Sequence, residues 1–233
     1  MACHHRAMGA LARATGAALD LAFPAACSGC GHEGEPLCAA CRPALDARLE
    51  LPGGVPIGLP ADIPAPLLQV EWCAPFAGPV RAALHDLKYA SERRLAEPLG
   101  HAAARRWAKV GIGADLIVPV PVHAERERHR GYDQAALIAA VAGRHLDLPV
   151  IRALERARAT TAQFELGRDQ RAANVRGAFR LRAGAPHARE IRGRWILLVD
   201  DVVTTGSTLE ACAAVLEASG ALAMSAITVA RER

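Results

Sequence analysis

Two adjacent carboxylates followed by a run of small hydroxyl-bearing residues are the first feature of this sequence able to do chemistry: residues 196–208 read ILLVDDVVTTGST. Asp200 and Asp201 follow a continuous apolar run from Trp195 to Val199, the pattern of a strand buried on both faces of a parallel sheet. They are therefore expected where that strand's carboxyl end leaves the sheet, the edge at which open α/β sheets bind ligands. Val202, Val203, Thr204, Thr205, Gly206, Ser207 and Thr208 come next, and a glycine-centred turn of this kind presents successive N–H groups and hydroxyls to a single anion. A helix expected over 207–219 aims its positive end at the turn. Ser207 and Glu210 have capping-box spacing, Leu209, Cys212, Ala213 and Leu216 share one face, and Gly220 supplies a stop. A phosphate held there gains hydrogen bonds and the helix dipole. Two carboxylates beside it suit vicinal hydroxyls or a metal ion. Phosphate beside a diol describes a phosphorylated ribose, with 5-phosphoribosyl-1-pyrophosphate (PRPP) the expected ligand. Alone, a DD pair or a TTGST run is an ordinary solvated turn; joined in order between a buried strand and a helix, they make a phosphate site.

A second segment, Asp115 to Gln134 (DLIVPVPVHAERERHRGYDQ), reads as a strand running out into a loop, with Pro119 and Pro121 ending regular pairing. Arg126, Arg128 and Arg130 in that loop would hold a departing pyrophosphate, or they make a charged surface turn. Arg152, Arg156 and Arg158 form another local cluster.

Cys27-x2-Cys30 and Cys38-x2-Cys41 place four thiols within fifteen residues, the arrangement of a tetrahedral structural zinc site. The seven-residue spacer is short for a ribbon, so two disulfides or a redox pair are the alternatives, and a cytoplasmic setting disfavours the disulfides. A closed four-thiolate shell has no open position and implies structure or partner binding, not catalysis. Cys3, Cys73 and Cys212 have no partner at useful spacing, and Cys212 falls on the apolar face of its helix.

The elements that must position these groups follow from pattern. The chain has 233 residues, 52% of them hydrophobic, with mean hydropathy +0.12, enough for one substantial core and a small satellite. An amphipathic helix is expected within 1–24, a zinc ribbon over 25–50, a Pro- and Gly-rich linker over 51–69, and the main domain over 70–233. In that domain residues 79–88, 92–107, 133–146 and 207–219 read as helices, and 116–120, 195–199 and 225–230 as strands. Alternation of this kind implies parallel crossovers and an α/β sheet covered on both faces. No stretch is long and apolar enough for a membrane span, and Arg6, Arg13 and Asp20 interrupt the N-terminal apolar segment, so a cytoplasmic protein without membrane insertion is expected. The formal charge of +4 is weak support for an anionic partner, because only Lys88 and Lys109 among 28 basic residues are lysines and the excess reflects an Arg-rich composition.

Several motifs together resemble the ComF family of phosphoribosyltransferase-like proteins. They are VPVPVH, the RGYDQ at Arg130 to Gln134, the LKY at Leu87 to Tyr89, and RxxxTxxQxxLxxxxRxxN from Arg156 to Asn174. The resemblance covers nearly the whole chain. It implies a type I phosphoribosyltransferase fold, a parallel-sheet α/β domain, joined to a small N-terminal zinc ribbon, with a link in some members to DNA uptake in natural competence. It implies that Asp200 and Asp201 hold the ribose 2′ and 3′ hydroxyls and that the turn holds the 5′ phosphate. Lys88, Arg126 and Arg130 would face pyrophosphate, with Mg2+ accompanying PRPP, and Gln163, Arg171 and Asn174 would lie in a hood. Lys88 could also simply complement a helix dipole, and Arg171 could sit on a solvated surface. The family usually has Asn where this chain has Asp133.

The implied activity is that of a glycosyltransferase acting on pentosyl groups, passing phosphoribose to a nitrogen acceptor that the sequence does not identify. The rival is a DNA-uptake accessory protein whose arginines and zinc ribbon contact single-stranded DNA or DNA-uptake proteins and whose pocket senses a nucleotide or phosphate. Aromatic residues make up only 4% of the chain, few for the stacking platforms that single-strand binders use.

Overall fold

The structure is a computed structural model that describes residues 25–54, 63, 65–156, 177–183 and 185–232. The helix expected within 1–24 and the hood residues Gln163, Arg171 and Asn174 lie outside the described residues.

Four parallel strands form the central sheet. In spatial order they are β3 (Leu67–Pro75), β8 (Ala223–Arg231), β7 (Trp195–Val203) and β4 (Leu116–Pro119). Beyond β4, residues 149–151 add a short parallel bridge through Ile117, whose N–H donates to Pro149 O at 2.8 Å. Small antiparallel pairs are made by β1 (Ala25–Ala26) with β2 (Glu33–Gly34), and by β5 (Leu154–Arg156) with β6 (Phe179–Leu181). The helices are α1 (Gly78–Tyr89), α2 (Ala96–Val110), α3 (Ala124–Arg130), α4 (Gln134–Leu146), α5 (Ala185–Ile191) and α6 (Ser207–Ala218).

The apolar strand runs work as expected, because side chains alternate between faces along a strand. Ile117, Leu197, Val199, Ile227 and Val229 pack on one face with α1, α2 and α4, while Leu116, Val118, Ile196, Leu198, Met224 and Ala226 pack on the other with α6. The first face also receives Cys27, Leu37, Cys41 and Leu45, so the cysteine module shares the main core.

Strand β3 has no counterpart in the sequence reading, because Gln69 and Glu71 interrupt its apolar pattern. Both are buried, and both are answered. Glu71 Oε2 accepts from Arg106 Nη2 at 2.6 Å, and Arg106, itself 1% exposed, also donates to the carbonyls of Arg48, Leu51 and Pro52. Glu71 Oε1 accepts from Gln69 Nε2 and from Gly54 N–H. A buried charge persists only when paired and fully hydrogen-bonded, and this network meets both conditions while pinning residues 48–54 to the sheet.

Candidate active site

Strand β7 runs four residues past its expected end, to Val203. Strand β8 stays paired with it there: Asp200 lies opposite Thr228, Val202 opposite Ala230 and Val203 opposite Arg231. Strand β4 does not follow. Its last bond to β7 runs from Val120 N–H to Val199 O at 2.9 Å, after which the chain turns away at Pro121. The two aspartates therefore begin where one flank of β7 opens.

Asp201 is 8% exposed and forms an ion pair with Lys88, Nζ to Oδ2, at 2.7 Å. Helix α1 delivers that lysine. Val80, Ala83, Leu84 and Leu87 bury one face against the sheet, which leaves Lys88 in the last turn beside the strand ends. Lys88 thus complements the helix dipole and reaches the site as well. Asp200 is partly buried, and its Oδ1 accepts from Asp201 N–H at 2.8 Å. Burial, then the neighbouring Asp201 charge, push the Asp200 carboxyl well above the ordinary carboxylate range.

The turn after β7 is built on Gly206, whose φ of 84° is strained for any residue with a Cβ. Here the structure corrects the capping box: Gly206 is the N-cap of α6, Ser207 is already helical, and no side chain caps the helix. Instead Thr205 Oγ1 lies 2.9 Å from Ser207 Oγ and accepts from Ser207 N–H at 3.4 Å. Beyond that long bond to Ser207 N–H, the early N–H groups of α6 have no side-chain cap, which is the condition for anion binding at a helix start. Thr204 is exposed, Thr205, Ser207 and Thr208 are half-exposed, and Val203 is in the core, so Val203 can offer a ligand only its backbone.

The basic loop is corrected too. Residues 124–130 form helix α3, with His123 Nδ1 accepting from Glu125 N–H at its start and Gly131, at φ 76°, closing its end. Arg126 and Arg128 are exposed on it. Arg130 donates to Gln134 Oε1 at 3.0 Å and lies 5.0 Å from the centre of the Tyr89 ring, next to Lys88.

Each residue of RGYDQ now has a physical role. Tyr132, which sequence reasoning passed over, donates its hydroxyl to Leu87 O and so fixes the turn that carries Lys88. Asp133 caps α4 through Ala136 N–H at 3.1 Å and holds Val122 N–H at 3.2 Å. Arg156, which the sequence reading left outside the site, lies close enough for the Asp200 charge to act on it. It ends β5, and burial, then Arg126, depress its guanidinium, whereas Cys212 and Asp200 favour its charge. Its place at the head of the Arg156-to-Asn174 motif was the available signal.

Burial raises the Asp133 carboxyl above its ordinary value of 3.8, against the N–H groups of Ala136 and Val122. A carboxyl raised in the fold costs stability when ionised, so this cost is fully present above the raised value and disappears as pH falls toward 3.8. Asp133→Asn removes the charge and keeps one oxygen for Ala136 N–H, but it turns an amide donor toward Val122 N–H. The parent is expected to gain on this variant in urea midpoint as pH falls from neutral toward 3.8, and a difference that does not change with pH would contradict the raised carboxyl.

In the cysteine module the four sulfur atoms of Cys27, Cys30, Cys38 and Cys41 all lie within 4.8 Å of one another. The Cys38 N–H donates to Cys27 Sγ at 3.3 Å. Burial opposes ionisation of Cys27, but the N–H groups of Cys38, Cys30 and Gly29 outweigh it and bring that thiol down to about 6. Burial, reinforced by the neighbouring thiols, pushes Cys41 up to about 12. The set has the number, softness and compactness a tetrahedral zinc ion requires.

Comparison with known proteins agrees with this geometry. The family described as "Phosphoribosyl transferase domain" matches residues 137–233, which contain β7, the turn and α6. The DNA utilization protein YhgH of Escherichia coli (strain K12) is 32% identical over 206 residues, 85% of this chain and 85% of that protein. Competence protein F of Haemophilus influenzae is 37% identical over 107 residues, 46% of this chain and 45% of its own length. Among solved structures, a glutamine PRPP amidotransferase from B. subtilis has a TM-score of 0.39 and 16% identity, covering 57% of this chain and 26% of that one. The parallel sheet and the matched family together define a type I phosphoribosyltransferase fold with a four-cysteine cluster at its N-terminal side. Within that class, the chain belongs to the ComF family. No helix among the described residues is long and apolar enough to cross a membrane.

Proposed function

We propose that this protein binds 5-phosphoribosyl-1-pyrophosphate with Mg2+ and transfers the phosphoribosyl group to a nitrogen nucleophile. The observation that carries the reading is the convergence of the Lys88–Asp201 pair, Asp200 and the uncapped start of α6 at one opened strand end. The turn from Thr204 to Thr208 donates to the 5′ phosphate, and Asp200 and Asp201 accept from the ribose hydroxyls. Lys88, Arg126 and Arg130 offset the charge of the pyrophosphate. The C1–O bond to pyrophosphate breaks as the C1–N bond forms, pyrophosphate departs, and the nitrogen gives up its proton. Positive charge that develops on the sugar is stabilised by the two carboxylates. Carboxylate and phosphate oxygens are the hard donors that Mg2+ takes, and the ion would supply further neutralisation of the leaving group. Gln163 and Arg171 are assigned to the hood over this site, and the four cysteines to structural zinc.

Calorimetry with PRPP and Mg2+ is expected to show saturable binding, and incubation with a panel of bases, amines and ammonia to release pyrophosphate with one of them. Absence of binding overturns the reading. A second reading is favoured by the names of the relatives, DNA utilization protein and Competence protein F: a role in DNA uptake, with single-stranded DNA as the partner. A steeply salt-dependent DNA affinity without PRPP turnover would select it.

A further inference from the structure

We propose that Arg152 is a positioning residue that braces helix α3 and so aims Arg126 and Arg130; this rests on the reading of those arginines as the pyrophosphate end of the site. Helix α3 has seven residues, and none of them is buried. So short a helix gains little from its own hydrogen bonds, and here packing does not hold it either. Its ends are closed by His123 and Gly131, and its flank is held by Arg152. The Arg152 guanidinium donates to Glu127 Oε1 at 2.7 Å and lies 3.6 Å from Asp133 Oδ2.

Both partner residues are anchored in turn, Glu127 through its backbone and Asp133 through its carboxylate. The Glu127 N–H donates to His123 O at 3.0 Å and the Glu127 carbonyl accepts from Gly131 N–H at 2.7 Å, so this residue belongs to both ends of α3. Asp133 is fixed by Val122 and Ala136. Arg152 itself stands on the sheet, because the preceding Ile151 N–H donates to Ile117 O of β4 at 2.9 Å. The sequence groups Arg152 with the arginines that would meet an anion. In the fold it is engaged with two carboxylates, and its charge serves the frame.

The test reads α3 and ligand binding separately. Hydrogen exchange of ligand-free protein follows the amides of residues 127–131, and calorimetry measures the affinity for inorganic pyrophosphate with Mg2+. Arg152→Ala is expected to speed exchange in α3 about tenfold, leave β7 and α6 unchanged, and weaken pyrophosphate binding by a similar factor. Arg152→Lys should restore most of both effects. Adding Glu127→Gln to Arg152→Ala should change neither further, since the two residues act as one link. Unchanged α3 exchange in Arg152→Ala, or fully additive losses in the double variant, overturns the brace. If the parent protein binds no pyrophosphate, the site reading fails, while the exchange data still decide on Arg152.

Discussion

Replacing Asp200 and Asp201 together by Asn is expected to reduce PRPP affinity, and any pyrophosphate release, at least a hundredfold with the fold intact. Charge-assisted hydrogen bonds contribute about 1.5–3 kcal/mol each, and on the proposed reading this pair supplies two or more to the ribose. Asn keeps the size of Asp but removes the charge. The substitution should not unfold the protein, because burial and the mutual repulsion of the pair already oppose ionisation of Asp200. Calorimetry measures the loss and circular dichroism checks the fold; retained affinity would remove the two aspartates from the site. Lys88 bears on the same experiment, since Asp201→Asn takes away its counter-ion at 2.7 Å.

The second large effect concerns the cysteine cluster. Structural zinc in small modules is bound with about 10–16 kcal/mol of apparent free energy, much of which is folding free energy. Four sulfur atoms within 4.8 Å of one another repel when they are ionised as thiolates, and a bound cation offsets that repulsion. Chelation, or Cys27→Ser with Cys41→Ser, is expected to melt residues 25–46 and to lower the melting temperature of the whole protein. The wider effect follows because Cys27, Leu37, Cys41 and Leu45 pack in the same cluster as Leu84, Leu87 and Leu99. Metal analysis should find one zinc per chain, and a full-length protein that is purified without metal yet melts normally would contradict the assignment.

What could be read beforehand depended on how local the signal was. The strand–turn–helix around Asp200 carries its whole pattern within about two dozen residues, so its place at the sheet's carboxyl edge was legible. The length of β7 was not, because it depends on β8 continuing alongside through Ala230 and Arg231, a partner decided by the tertiary fold. The α6 cap was misread for a related reason. Ser207 and Glu210 fit a capping box by spacing, but Gly206 in a left-handed conformation starts the helix one residue earlier. Strand β3 escaped because Glu71 looks like a surface residue until Arg106, thirty-five positions away, is placed on it. Long-range pairing of this sort leaves no local trace. Lys88 illustrates the converse: a short motif placed it at the site, while its helical position alone would have suggested nothing beyond the dipole.

The contact between Lys88 and Asp201 gives the site the character of an ion exchanger. Its ammonium group already has a built-in anion, so on the proposed reading an incoming polyanion would meet no bare positive charge and would have to displace an aspartate. The displaced carboxylate would then be available to whatever cation or hydroxyl the newcomer brings. Ligands that carry a negative group and a donor side by side can satisfy both halves of the exchange, whereas a simple anion satisfies one and leaves the other buried and unanswered.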